Sequence, residues 1–309
     1  MRAEFADELR LLAHDDQSVV LLTGDLGFAV LESFASDHPD RFFNVGVAEQ
    51  NMLGIAAGMA EAGYRPFVYS IATFASMRGY EFLRNGAALH QLPVRVVGMG
   101  GGLDYGHNGV THYALEDVAL MRVQPSVTVV APADADQARA AVRITRDLDG
   151  PVYFRLCKTA SAIPGLDGRF RLWRLEQFGS GDDVALIGLG EMAATAATAG
   201  DLLRERGIDS TVAVLSSLNP SPVADLAELL GRVSLAVTIE SHYLNGAIGS
   251  LVAEVIAEEG LEARLIRRGV AEMPRGETGS PAYLYERNGL SAVAVADVVS
   301  TALELAARP

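Results

Sequence analysis

Cysteine occurs once in the 309 residues, at Cys157, which excludes an internal disulfide and any cysteine-cluster zinc or iron–sulfur site. Lysine also occurs once, at Lys158; the rest of the 25 basic residues are arginine, a bias that reads as codon usage in a GC-rich genome. Those 25 face 39 acids, a formal charge of −14. With no basic run to neutralise a phosphate ladder, a nucleic-acid surface is disfavoured. No apolar run approaches the roughly 18–20 residues that span a bilayer, so no membrane association is expected. The start, Met1-Arg2-Ala3-Glu4-Phe5-Ala6-Asp7-Glu8, carries acids where a secretory signal needs an apolar stretch. The expected location is the cytoplasm. Half the residues are hydrophobic and 21% charged, which rules out disorder for most of the length. No low-complexity tract or short-period repeat is present.

What is present is alternation. Short β-branched runs at 18–23, 67–71, 94–98, 127–131 and 152–156 are separated by helical patterns at 47–62, 73–90 and 134–148, the last opened by the capping residue Asp134. After residue 157 the pattern lapses through Pro164-Gly165 and Asp167-Gly168. A second series follows, with strands near 183–188, 211–215, 234–239 and 263–267 and helices at 191–206, 222–230, 246–259 and 291–307. The expected fold class is α/β, with two consecutive parallel-sheet domains at 1–165 and 183–309 joined by a linker at 166–182.

Two motifs follow strands, where chemistry collects in such sheets, and a third opens a helix. Gly188-Leu-Gly190-Glu-Met-Ala193 has the form of a dinucleotide fingerprint, but the next strand ends at Leu215-Ser216-Ser217 without an acid for a ribose. Tight strand–helix packing explains those glycines better. The cluster Gly98-Met-Gly100-Gly101-Gly102 precedes Asp104-Tyr105-Gly106-His107-Asn108-Gly109-Val110-Thr111-His112. Two histidines and an asparagine in such a loop suit contacts to hydroxyls or a carbonyl, and equally suit a capped surface loop. Glu49 opens a helix that is otherwise nearly all apolar. It is either an ordinary acid favoured by the helix dipole, or a buried carboxyl with a raised pKa that handles protons.

Taken together, these motifs carry a family resemblance. Phe43-Asn-Val-Gly-Val-Ala-Glu49-Gln-Asn-Met-Leu-Gly-Ile-Ala-Ala-Gly58, Arg65-Pro66-Phe67, Ala72-Thr-Phe74 and Gly109-Val-Thr-His112-Tyr-Ala-Leu-Glu-Asp-Val-Ala-Leu-Met-Arg122 resemble, in order and spacing, the pyrimidine-binding half of a transketolase. Residues 180–309 resemble that family's carboxyl-terminal domain. Deoxyxylulose phosphate synthase and the β subunits of 2-oxoacid dehydrogenases share the architecture.

The resemblance implies thiamine diphosphate as cofactor, bound between chains. Glu49 falls on the family's glutamate that hydrogen-bonds the aminopyrimidine and so lets the cofactor handle its own thiazolium proton. Phe74 falls on an aromatic that stacks on the pyrimidine, Ile71 on a neighbouring pocket position, and Asp25 on an acid near the cofactor. For substrate, His112 matches a histidine that contacts oxygens, beside His107. Arg155 matches an arginine that grips a sugar phosphate. Asn108 stands where sugar transketolases have an aspartate, while Gly100 and Ala29 replace a histidine and a serine that contact phosphate. Lys158, three residues past Arg155, is a possible substitute cation.

A Gly-Asp-Gly…Asn segment, which holds the Mg2+ that bridges the diphosphate in full transketolases, is missing, and Gly24-Asp25-Leu26-Gly27 is not one. No metal ligand is therefore expected on this chain. The resemblance implies an N-terminal-type partner subunit bearing the diphosphate-binding domain and the Mg2+ ligands. It further implies an α2β2 heterotetramer that moves a two-carbon ketol unit from a ketose donor to an aldehyde-type acceptor. The alternatives are a decarboxylating relative that uses 2-oxoacids and a non-catalytic stabilising subunit.

Overall fold

A computed structural model describes residues 1–158 and 162–306; residues 159–161, near the end of the expected first domain, and residues 307–309, at the end of the expected last helix and second domain, lie outside the described residues. The strands are β1 (Val19–Thr23), β2 (Phe42–Asn44), β3 (Arg65–Ile71), β4 (Arg95–Met99), β5 (Thr128–Val130), β6 (Val152–Leu156), β7 (Leu175–Phe178), β8 (Val184–Leu189), β9 (Ser210–Leu215), β10 (Ser217–Leu218), β11 (Leu235–Tyr243) and β12 (Arg264–Val270). Every residue of β1, β4 and β6 is buried, Arg95 and Arg155 included, as expected when helices cover both faces of a parallel sheet.

The first sheet has the order β10-β5-β6-β4-β3-β1-β2 and the second β12-β11-β8-β9-β7. All pairings are parallel except the edge pairs β10·β5 and β7·β9. These edges change the expected domain plan. The stretch expected as a linker contains β7, an edge strand of the second sheet, and buries Leu166 and Phe170. From the second half, β10 returns to extend the first sheet. The buried cluster under the first sheet accordingly runs from Met52, Leu53 and Ala56 through Met121 and Val129 to Leu218, Leu226 and Leu229. The chain crosses between domains three times, so the two cores are one packing problem.

Helix Glu49–Glu61 turns Met52, Leu53, Ala56 and Ala60 inward at spacings of three and four. Helix Ala135–Thr145 begins where expected, the Asp134 carboxylate accepting the Gln137 amide at 2.8 Å. The helix expected over 73–90 is instead three pieces, Ala72–Met77, Tyr80–Phe82 and a π-helical turn Leu83–Ala88. Segment 281–306 has a mean hydropathy of 1.5 in its most apolar window, enough by composition to cross a membrane. In the fold it is two helices, Pro281–Arg287 and Ala292–Ala306, broken at left-handed Gly289, whose Leu284, Val295, Ala296 and Val299 pack into the second core.

Candidate active site

Because β1, β2, β3, β4 and β6 run parallel and in register, their carboxyl ends form one edge, at Thr23, Asn44, Ile71, Met99 and Leu156. The segments that leave this edge carry Asp25, Glu49, Phe74, the loop 100–112 and Lys158. This is where open parallel sheets place their ligand crevices.

Glu49, 2% exposed, is the first residue of its helix. Ser70 of β3 donates its hydroxyl to Oε1 at 2.8 Å, and Arg78 donates from Nη1 to Oε2 at 2.8 Å. Burial pushes this carboxyl up, but the hydrogen bonds from Arg78, from its own backbone and from Ser70, together with the Arg78 charge, outweigh it and hold the carboxyl below the ordinary glutamate value. The expectation that burial alone would raise the pKa is corrected: the hydrogen bonds, that from Arg78 first, outweigh it.

Arg78 follows Phe74 by four residues, one helical turn on. Its guanidinium carbon lies 3.8 Å from the centroid of the half-buried Phe74 ring while its Nη1 reaches Glu49. A flat nitrogen donor thus fits between the Phe74 face and the Glu49 carboxylate. The guanidinium there stands in for the two contacts an aminopyrimidine ring would make, so these residues fit that half of the cofactor.

Phe74 also meets His112 edge-on, ring centroids 5.2 Å apart, and Tyr105 lies 6.1 Å from His112 on another side. Thr111 Oγ1 engages His112 Nδ1 at 3.0 Å, which leaves Nε2 for another partner. Glu49, Phe74 and His112 are therefore brought together. The loop bearing His112 leans on the second domain. Leu103 N donates to Ser241 Oγ at 3.1 Å, Gly279 N to Gly106 O at 3.1 Å, and Tyr243 N to Leu115 O at 3.0 Å. The Tyr113 hydroxyl is placed to donate to Gly106 O and Glu277 O, at 3.0 and 2.6 Å.

Ile71 is buried at the end of β3, beneath this group. Asp25 is exposed in left-handed backbone, where its carboxylate accepts from Asn44 Nδ2 at 2.9 Å. His107 and Asn108 sit exposed on the short turn Gly106–Asn108. Arg155 departs from expectation. It is 1% exposed, and Nε donates to Asp117 at 3.0 Å, Nη1 to both oxygens of Glu191 at 2.9 and 3.0 Å, and Nη2 to the Ser241 carbonyl at 2.7 Å. Burial works against its charge and the two carboxylates more than restore it. A guanidinium committed to both domains has no fork left for a sugar phosphate; Arg155 joins the domains. Gly188 is likewise structural: an added Cβ would stand 2.7 Å from the Ala193 backbone.

Sequence reasoning missed Arg78, Ser70 and Tyr105. Arg78 could have been found from its helical spacing to Phe74. Ser70 sits in an otherwise apolar run, a polar residue that burial obliges to find a partner. Tyr105 left no such signal.

The comparisons agree with this fold. Residues 1–162 match the transketolase pyrimidine-binding domain and residues 175–295 the transketolase C-terminal domain. The chain is 34% identical to an apulose-4-phosphate transketolase subunit of Phocaeicola vulgatus, over 86% of this chain and 86% of that protein. It is 35% identical to a 6-deoxy-6-sulfo-D-fructose transketolase subunit of a Clostridium species, over 94% of this chain and 91% of that one. A solved structure described as a split gene transketolase, inactive beta4 tetramer, superposes with a TM-score of 0.89 at 37% identity, covering 98% of both chains.

Proposed function

Because the chain belongs to the transketolase family, as its pyrimidine-binding and C-terminal domains together, we propose that it is the C-terminal subunit of a split, thiamine diphosphate-dependent transketolase. In this reading it moves a two-carbon ketol unit from a ketose to an aldehyde-type acceptor, as half of a cytoplasmic α2β2 enzyme. The partner supplies the diphosphate-binding domain and the Mg2+ ligands. The observation that carries the reading is Glu49, a buried carboxylate paired with a flat cation stacked on Phe74, one ring away from His112. A relative named as one subunit of a transketolase and a neighbour described as an inactive tetramer of split-gene β chains support the need for a partner.

In this function the cofactor supplies the nucleophilic carbon that takes up the ketol unit. Glu49 would hold the pyrimidine ring nitrogen and Phe74 would lie against the ring, with Ile71 and Asp25 lining the same pocket. Arg78 is the strongest influence that keeps Glu49 acidic and burial the one that opposes it, so a cofactor ring bound against Phe74 and Glu49 would meet a carboxyl whose proton affinity depends on where Arg78 sits. His112, its Nδ1 engaged by Thr111, offers Nε2 to a substrate oxygen, with His107 and Asn108 at the mouth. Two relatives are named for a phosphorylated and a sulfonated sugar, which supports a donor with an anionic end. With Arg155 closed, Lys158 is a nearby cation for that end.

Co-expression with a diphosphate-domain subunit and a ketose-to-aldose transfer assay test the proposal. Glu49→Ala should lower turnover of the complex by about three to four powers of ten, the scale of losing a positioned acid together with its electrostatic effect. Undiminished turnover in that variant would refute a catalytic role. Carbon dioxide release from pyruvate in place of ketol transfer would point instead to the decarboxylating relatives.

A further inference from the structure

Position 100 tolerates little but glycine. Its φ of +77° lies in the left-handed region, and an added Cβ would stand 2.2 Å from two carbons of the Tyr105 ring. Tyr105 therefore takes the space a side chain at 100 would need. From there the ring reaches two groups. It faces His112 at 6.1 Å between centroids, tilted by 47°. It also carries the ammonium nitrogen of Lys158 3.5 Å from its centroid. Lys158 is anchored independently, its backbone amide donating to Asp104 Oδ2 at 2.8 Å and its ammonium to the Asp104 carbonyl at 3.4 Å. Burial and the Asp104 charge push the Tyr105 phenol up, so the ring stays neutral beneath its cation. In a chain of net charge −14 the wider field repels anions, so an anion must be attracted locally, and the Lys158 ammonium is a cation placed on the ring that faces His112.

We propose that Tyr105 is a specificity-determining residue of this site: its ring, seated over Gly100, holds the Lys158 ammonium in the wall beside His112. The site thereby selects donors whose end remote from the carbonyl is anionic, a phosphate or a sulfonate. This rests on the transketolase reading, and it assigns Tyr105 a positioning role through Lys158 rather than a part in the reaction itself. Without the ring the ammonium keeps its charge and loses its direction, so recognition weakens for anionic ends and much less for uncharged ones.

The test uses the complex with its partner subunit and three ketose donors, ending in phosphate, sulfonate or a hydroxyl. Tyr105→Ala should raise KM for the charged donors about tenfold more than for the uncharged one, the scale of a cation–π contact, with kcat little altered. Tyr105→Phe, which keeps the ring, should restore the ratio. Whichever charged donor shows the larger ratio identifies the anion. Equal changes for all donors, or failure of the Phe variant to rescue, would overturn the proposal.

A second measurement needs no turnover. Reductive labelling of the chain with pyridoxal phosphate and borohydride, followed by peptide mapping, reads one lysine side chain, because the sequence holds no other. Inorganic phosphate should slow labelling of the parent chain and of Tyr105→Phe at least threefold more than that of Tyr105→Ala, part of the same tenfold effect. Equal protection of all three would overturn the role of Tyr105. If the complex transfers no ketol unit from any donor, the proposed function fails while the labelling still decides what Tyr105 does.

Discussion

The two sides of this site are held in different ways. Glu49, Ser70, Phe74 and Arg78 lie on one sheet and its adjoining helices, and they hold one another by side-chain contacts at 2.8 to 3.8 Å. The segment that carries Tyr105 and His112 is hung on the second domain, by its backbone on Ser241, Tyr243 and Gly279 and by the Tyr113 hydroxyl on Glu277. In the proposed function, the side assigned to the cofactor is thus self-contained, whereas the side assigned to substrate takes its shape from a neighbouring domain. On that reading, a change in the second domain would re-aim the proposed substrate contacts and leave Glu49 untouched.

The sharpest way to break this division is at Arg155, which ties Asp117 of the first domain to Glu191 and Ser241 of the second. Arg155→Leu leaves two enclosed carboxylates without their cation. It should cost about 3–5 kcal/mol, the usual loss when one partner of a buried pair is removed, read as a lower denaturant midpoint. Had Arg155 gripped a sugar phosphate, the effect would fall on KM with stability little changed. A loss below about 1 kcal/mol, the ordinary scale of an exposed pair, would return Arg155 to the substrate.

A smaller effect sharpens the other side. Arg78→Ala should lift the Glu49 carboxyl from below the ordinary glutamate value to above it, since burial then meets only the Ser70 bond and the backbone. A carboxyl NMR titration measures this. The sign for stability follows. With Arg78 in place, Glu49 contributes stability that is present above the unfolded value near pH 4.3 and is lost as pH falls through the depressed folded pKa. In the variant the sense reverses, and Glu49 becomes a cost once pH exceeds its unfolded value. An Arg78→Ala chain whose Glu49 still titrates low would show that the helix terminus and Ser70, not Arg78, set the carboxyl.

How much of this was legible in the sequence follows the same division. The central strands could be read because burial on both faces forces continuous apolar runs, and β1, β3, β4, β6, β8 and β9 lie within a residue or two of where those runs fall. Strands β2, β7 and β10 have two to four residues and alternate too briefly to signal. Segment 73–90 reads as one helix by composition, but packing divides it. Glu49, Phe74 and His112 could be named because their motif spacing is local. The state of Glu49 could not, since it depends on an arginine 29 residues away. Arg155 misled because an arginine looks alike in sequence whether its fork is free or closed by Glu191, 36 residues on. Charge partners across a domain boundary leave no periodic trace.

The smallest expected effect lies at Asn108, on the exposed turn of the loop braced by the second domain. Its amide donates to the Tyr105 carbonyl at 2.8 Å, a backbone bond that substitution keeps. Asn108→Asp should therefore change stability by no more than about 0.5 kcal/mol, as surface substitutions do. For turnover the sign depends on what the side chain meets. Against a donor hydroxyl, a carboxylate accepts a stronger hydrogen bond than an amide oxygen, and KM for common ketose phosphates in the assembled complex should hold or fall a few-fold, about the worth of one charge-assisted bond discounted for exposure. Against an anionic end drawn in by Lys158, the same carboxylate repels, and KM should rise for charged donors alone. A common loss across charged and uncharged donors would mean that the brace from the second domain, and not the side chain at 108, shapes the mouth of the site.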